Sequence, residues 1–144
     1  MNHEFWDNLL LIRKAYARTL ERVCRDWGLT RAEMDVLLFL ANNPERDRAS
    51  DIVELRGLTK SHVSVAVKDL HDRGLLEATQ DAADHRVIHL VPTAAAREMI
   101  QAGQESQRQQ FSVLLDDFTP AELEEFRRLQ KKLLVNLKKL EEEA

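Results

Sequence analysis

The side chains best suited to touching a base edge or a phosphate fall in one short run. Thr59, Lys60, Ser61, His62 and Ser64 follow one another closely, with Lys68 four residues further on. Hydroxyls and an imidazole exchange hydrogen bonds with base edges, and an ammonium suits a phosphate. Val65 and Ala66 would offer methyl contacts to a thymine if they face outward. A second set surrounds Arg86, at the end of the polar stretch Gln80–His85. An arginine leaving such a turn fits the narrow, electronegative minor groove. Asp84, two residues away, is placed to hold its guanidinium in a bidentate pair, and Asp81 to do the same from the other side of the turn. His85 is a weaker phosphate contact, and His89 is expected to face solvent on a strand. The plainer alternative makes Thr59 only a helix cap, Ser61 and Ser64 solvated polar residues, and Arg86–Asp84 an ordinary surface pair.

The elements that carry these residues follow from periodicity. Phe5, Leu9, Ile12, Tyr16, Leu20, Val23 and Trp27 are spaced three or four apart, one stripe of a long helix stopped by Gly28. Thr30 and Glu33 form a capping box for a second helix that ends near Asn42-Asn43-Pro44. A short helix is expected over 49–56. After Gly57, Thr59 caps another running to about His71, with Val63, Val67 and Leu70 inward. Two helices joined by a tight glycine turn make a helix-turn-helix. Beyond Gly74 the period changes to that of strands, over 75–79 and 86–91, and a hairpin in that place is a wing. A helix from 94 to about 116 contains Gly103, which weakens the case for its continuity. Thr119-Pro120-Ala121-Glu122 starts a last helix with Leu123, Phe126, Leu129, Leu133, Leu137 and Leu140 on one stripe.

These readings give a mainly α fold with a small β-hairpin wing. It forms a single unit over 1–144, with a winged helix-turn-helix at 29–93 and helical regions at 1–28 and 94–144. The long terminal helices have more apolar surface than a small winged helix can cover, which points to a second copy of the chain and hence to helical dimerisation. Only 4 Gly and 3 Pro in 144 residues disfavour a turn-rich β fold. No apolar run reaches the roughly 20 residues of a membrane span. Met1–Asp7 lacks the basic-then-apolar order of a signal peptide, so a cytoplasmic protein is expected. One cysteine, Cys24, excludes an internal disulfide and a multi-cysteine metal site. His3, His62, His71, His85 and His89 show no ligand spacing, so neither a metal nor another cofactor is expected. No phosphate loop, nucleophile elbow or paired carboxylate pattern suggests an enzyme.

Charge sets a condition on DNA binding. The formal net charge is −4. Residues 45–97 hold eight Lys and Arg against nine Asp and Glu, and 98–144 hold seven against ten. Binding to double-stranded DNA should therefore be modest, steeply dependent on salt and weak on arbitrary sequence.

Three motifs carry a family resemblance: Leu-Thr-x-x-Glu-x-x-Val-Leu at 29–37; Gly57-Leu58-Thr59-Lys60-Ser61-His62-Val63-Ser64 with Leu70-x-x-x-Gly74-Leu75-Leu76; and Asp81-x-x-Asp84-x-Arg86-x-x-x-Leu90-x-x-Thr93. In this order they resemble the MarR family of bacterial transcription regulators, and the long flanking helices match that family's dimerisation ends. The chain departs from the family at Pro92, where a leucine is usual, and near Ala96, where a glycine is usual. The resemblance implies a homodimer that represses at a pseudo-palindromic, inverted-repeat operator and is released by a small molecule or an oxidant. An effector would sit where the dimerisation helices meet the winged domain, near Trp6, Tyr16, Trp27 or Met34, residues that serve equally well as plain core. Cys24 is the one redox candidate, although burial beside Val23 and Trp27 would leave it inert. Tyr16 is the single tyrosine, so the two tyrosine partners of peroxide-sensing relatives cannot both exist. The rival reading is a winged-helix protein–protein interaction module that has left DNA.

Overall fold

The computed structural model describes residues 3–143. The helices are α1 (His3–Trp27), α2 (Arg31–Asn42), α3 (Ala49–Arg56), α4 (Lys60–Asp72), α5 (Arg97–Leu114) and α6 (Pro120–Glu143). Between α4 and α5 lie the strands β1 (Leu76–Gln80) and β2 (Ile88–Pro92) and a single 3₁₀ turn, Ala94–Ala96. The strands pair antiparallel, with Leu76 opposite Pro92 and Gln80 opposite Ile88. The chain divides into two units, Met1–Gln110 and Phe111–Ala144. No described helix is long and apolar enough to cross a membrane.

In the first unit α2 is the centre. Met34, Val36, Leu37, Leu38, Phe39 and Leu40 are all buried, so the helix is covered on every side, as an all-round apolar helix must be. Its start is the expected capping box: Thr30 Oγ1 accepts the Glu33 N–H at 3.1 Å, and the Glu33 carboxylate accepts the Thr30 N–H. Glu33 is buried and does a second job. Arg73, just past α4, donates to Glu33 Oε2 and to the Gly28 carbonyl, each at 3.1 Å. This clamp ties the end of α4 to the α1–α2 junction. Gly57, between α3 and α4, has φ +63°, a left-handed turn that glycine adopts without a Cβ clash.

Helix α5 is continuous through Gly103. The glycine is there for packing: a Cβ at that position would sit 2.9 Å from Leu38 Cδ2 and 3.0 Å from Met34 Sδ. The missing side chain lets α5 approach α2. Replacing Gly103 with valine is expected to lower stability by about 1–3 kcal/mol through overpacking, despite the better helix propensity, and denaturant melts would read it.

The wing differs from expectation by one to two residues at each strand. Arg86 and Val87 belong to the turn: Val87 N–H donates to the Asp84 carbonyl at 3.0 Å, and Asp81 N–H donates to the Val87 carbonyl at 2.9 Å. These local bonds extend the turn over 81–87, beyond what hydropathy alone suggests. At the hairpin's base Thr93 donates its N–H to the Leu75 carbonyl and its hydroxyl to the Gly74 carbonyl.

The expected α1 stripe is covered only from Tyr16 onward. Phe5, Leu9 and Ile12, with Trp6, Leu10 and Leu11, stay exposed. In the second unit Thr119 and Glu122 form the anticipated capping box, and Phe118 meets Phe126 edge-on at 6.2 Å. No residue of α6 is buried, and Leu129, Leu133, Leu134, Leu137 and Leu140 are about half exposed.

Candidate nucleic-acid interface

The start of α4 is presented to solvent. Lys60, Ser61, His62, Ser64, Val65 and Lys68 are exposed, while Val63, Ala66 and Leu70 face the core. Ala66 therefore cannot reach a thymine methyl, whereas Val65 is on the open face. The Thr59 hydroxyl is committed as a cap: it accepts the His62 N–H at 3.1 Å and lies 3.3 Å from Ser61 Oγ. Its first role is to start the helix at a fixed angle.

Between α4 and the wing lies an open groove of ≈590 Å³. Ser64 and Lys68 line it from α4, and Arg86 from the wing turn. The fold thus brings together residues that lie 22 positions apart in sequence. It adds three that the sequence reading did not single out: Arg48 and Ser50 at the start of α3, and His71 at the end of α4. Arg48 precedes α3 by one residue, and only the folded loop turns it toward the wing. A smaller hollow of ≈320 Å³ between α3 and α4 is lined by Ser50, Lys60 and Ser64 among others.

Two of these cations, Arg86 and Lys68, are held by nearby carboxylates. Arg86 donates Nε to Asp84 Oδ1 at 3.2 Å and Nη2 to Asp84 Oδ2 at 3.4 Å, while its own side chain remains 91% exposed. This is the bidentate pair anticipated from spacing. The Arg86 guanidinium, its backbone N–H and nearby Arg48 keep the Asp84 carboxyl below the usual range. Lys68 pairs with Asp72 at 2.7 Å, which raises the lysine and lowers the aspartate. A phosphate must compete with these carboxylates, in keeping with the modest, salt-sensitive affinity expected from composition. His85 is exposed at the wing turn.

Two expectations about the wing are corrected. Asp81 does not hold Arg86. Its Oδ2 accepts the N–H groups of Ala83 and Asp84, each at 3.0 Å, and its Oδ1 lies 2.8 Å from His89 Nε2. His89 does not simply face solvent: its Nδ1 also lies 2.9 Å from both carboxylate oxygens of Asp47.

The sequence model of the MarR family matches residues 27–87. That segment, somewhat under half of the chain, is similar to the MarR family. Solved structures extend the MarR winged-helix fold to nearly the whole chain. A MarR-family transcriptional regulator from Silicibacter pomeroyi is 22% identical with a TM-score of 0.76, covering 89% of this chain and 86% of its own. The MepR–DNA complex of S. aureus is 15% identical with a TM-score of 0.71, covering 94% and 96%. BpsR of Bordetella bronchiseptica, solved in a study of how 6-hydroxynicotinic acid regulates its DNA binding, is 21% identical with a TM-score of 0.66, covering 90% and 98%. No curated protein matches the sequence. MarR regulators are DNA-binding proteins and not enzymes.

The four alternatives suggested for an effector site are not gathered at one place in the chain. Trp6 and Trp27 are 21 residues apart on α1, about 31 Å at 1.5 Å per residue. Trp6 is exposed and Met34 is fully buried against the site of Gly103. Tyr16 is engaged from two sides: Gln107 donates to its hydroxyl at 2.7 Å, and the Arg31 guanidinium lies 5.1 Å over its ring.

Cys24 is corrected as a redox candidate. It is buried, and its Sγ lies 3.8 Å from the Thr30 carbonyl. Burial pushes the thiol pKa up, against a smaller pull from Arg31. A raised pKa and an enclosed sulfur both suppress thiolate chemistry. Alkylation of the native protein near neutral pH is expected to be far slower than after denaturation. Equal rates in the two states would restore the redox reading.

Proposed function

We propose that this protein is a cytoplasmic, sequence-specific regulator of transcription that binds double-stranded DNA as a homodimer at an inverted-repeat operator, most simply as a repressor. The observation that carries this reading is the shared groove, where Ser64 and Lys68 of the recognition helix, Arg48 and the wing arginine Arg86 converge. A helix N-terminus rich in hydroxyls would enter the major groove, and Arg86 would reach the adjacent minor groove. Dimerisation is supported by the apolar residues left exposed on α1 and α6. In the dimer the two α4 helices would sit about one DNA turn apart, roughly 34 Å. A small-molecule effector would release the DNA by changing that spacing.

The test is a selection. Purified protein and the Arg86→Ala variant are each incubated with sheared genomic DNA from the source organism at near-physiological salt, and retained fragments are sequenced. Enrichment of one inverted repeat by the wild type, lost or much weakened in the variant, is expected. No enrichment by either protein, even at low salt, would overturn the proposal in favour of a protein–protein interaction module.

A further inference from the structure

His89 sits where three separate pieces of the chain meet. It lies on β2, Asp47 lies in the loop between α2 and α3, and Asp81 opens the wing turn. Its two ring nitrogens each face a carboxylate, at 2.9 Å and 2.8 Å. All three side chains are about two-thirds covered. The loop also grips β2 through its backbone, because Leu90 N–H donates to the Asp47 carbonyl at 2.8 Å. Asp81 orders the turn directly through the N–H groups of Ala83 and Asp84, and Asp84 in turn holds Arg86. An unbroken chain of hydrogen bonds therefore runs from the α2–α3 loop through His89 to the guanidinium of Arg86.

We propose that His89 is a positioning residue for the DNA-contacting wing: shared as an imidazolium between Asp47 and Asp81, it pins the turn carrying Arg86 to the helix-turn-helix body, and loss of its second ring proton to water loosens that turn. The chemistry is a matter of donors. Ionised carboxylates only accept, so each ring nitrogen must carry a proton to bond both. A neutral imidazole has one proton and would turn a lone pair toward the other carboxylate. The charged groups facing the ring, among the described residues, are Asp47 from the loop and Asp81 from the turn; its partner across the hairpin, Thr79, does not titrate in this range. Arg48 adjoins Asp47 in sequence, and Asp84 and Arg86 complete the turn.

The pH window follows from the two shifts. Asp81 first, then Asp47, raise the His89 pKa above its ordinary 6.5. A raised folded pKa stabilises the brace fully below 6.5, and this is lost as pH rises through the higher folded value. Asp81 is lowered to about 2 by His89 and by the two backbone N–H groups. Its contribution is present above 3.8 and is lost only as pH falls through about 2. The brace therefore fails on the alkaline side.

The consequence for affinity rests on the DNA-binding reading; the consequence for the wing does not. The experiment keeps them apart. In the 144-residue chain without DNA, methyl order parameters of Ala82, Ala83 and Val87 are measured from about pH 6 to about pH 10, together with the His89 ring carbon shift. The wing is expected to be ordered below the His89 midpoint, which lies above 6.5, and to loosen through it. His89→Gln should be loose at every pH, and His89→Arg, which keeps the charge and several donors, ordered at every pH. A wing equally ordered on both sides of the His89 midpoint, or as ordered in His89→Gln as in the wild type, would overturn the proposal. If His89→Gln does not fold, the wild-type titration decides alone.

The second arm uses the duplex recovered by the selection and fluorescence anisotropy. A wing ordered a tenth of the time binds about tenfold more weakly. The wild type should lose about that factor across its His89 titration, and His89→Arg should not. An equal loss in His89→Arg would place the pH dependence elsewhere and overturn the proposal. Failure of the wild type to bind any duplex would instead overturn the DNA-binding reading, leaving the methyl data to judge His89.

Discussion

In the proposed homodimer, replacing Leu133 and Leu137 of α6 together with glutamate is expected to give a monomer and to weaken binding to the proposed operator by about 10²–10⁴-fold. Both leucines are about half exposed and lie on one stripe with Leu129 and Leu140, at steps of four, four and three. Among the described residues α6 has none that is buried, so in the proposed dimer this exposed stripe is material for the interface. Two carboxylates there would face their symmetry mates or the apolar α1 surface across the interface, and each buried charge would be left without a partner. The loss in DNA affinity is larger than any single contact supplies, because two recognition helices on one rigid body bind as a chelate. Sedimentation equilibrium and anisotropy on the selected duplex read the two effects. The winged helix should stay folded, since its core lies in Leu37, Phe39, Ile52 and Leu70. A variant that remains dimeric with unchanged affinity would remove α6 from the interface.

The second large effect is that of Arg86→Ala, expected to weaken binding to the selected duplex about ten- to hundredfold with no change in melting temperature. The side chain is 91% exposed and, among the described residues, its partner is Asp84, so little stability is at stake. What is lost is a guanidinium already aimed by a bidentate pair, at a place where a narrow minor groove concentrates negative potential. Asp84→Ala should do less harm: it frees the cation from a competing carboxylate while removing the aim. If Arg86→Ala weakened all duplexes equally and flattened the salt slope, Arg86 would be a phosphate contact rather than a reader of groove shape.

Much of this was legible in the sequence because it is local. Three- and four-residue spacing placed the helices to within a few residues, since an amphipathic helix repeats its environment every turn. Thr30 with Glu33 and Thr119 with Glu122 announced their capping boxes, because a cap is made by residues three apart. The Asp84–Arg86 pair was predictable for the same reason.

What the sequence could not show is whatever joins distant positions. Gly103 looked like a weakness in α5, and only packing against Leu38 and Met34 explains why a side chain is excluded there. His89 looked like a solvated strand residue. Its partner Asp47 is 42 positions away, and no periodicity links a loop residue to a strand across an intervening helix-turn-helix. Arg48 joined the groove only once the loop before α3 had folded, and Ala66 left it once α4 had chosen its buried face. Sequence by itself determined the elements, their order and the family resemblance, because these depend on bonds and stripes within a turn or two of chain. The tertiary structure decided which cations meet, which carboxylates restrain them and how the wing is held, because those energies arise between elements whose relative placement only core packing fixes.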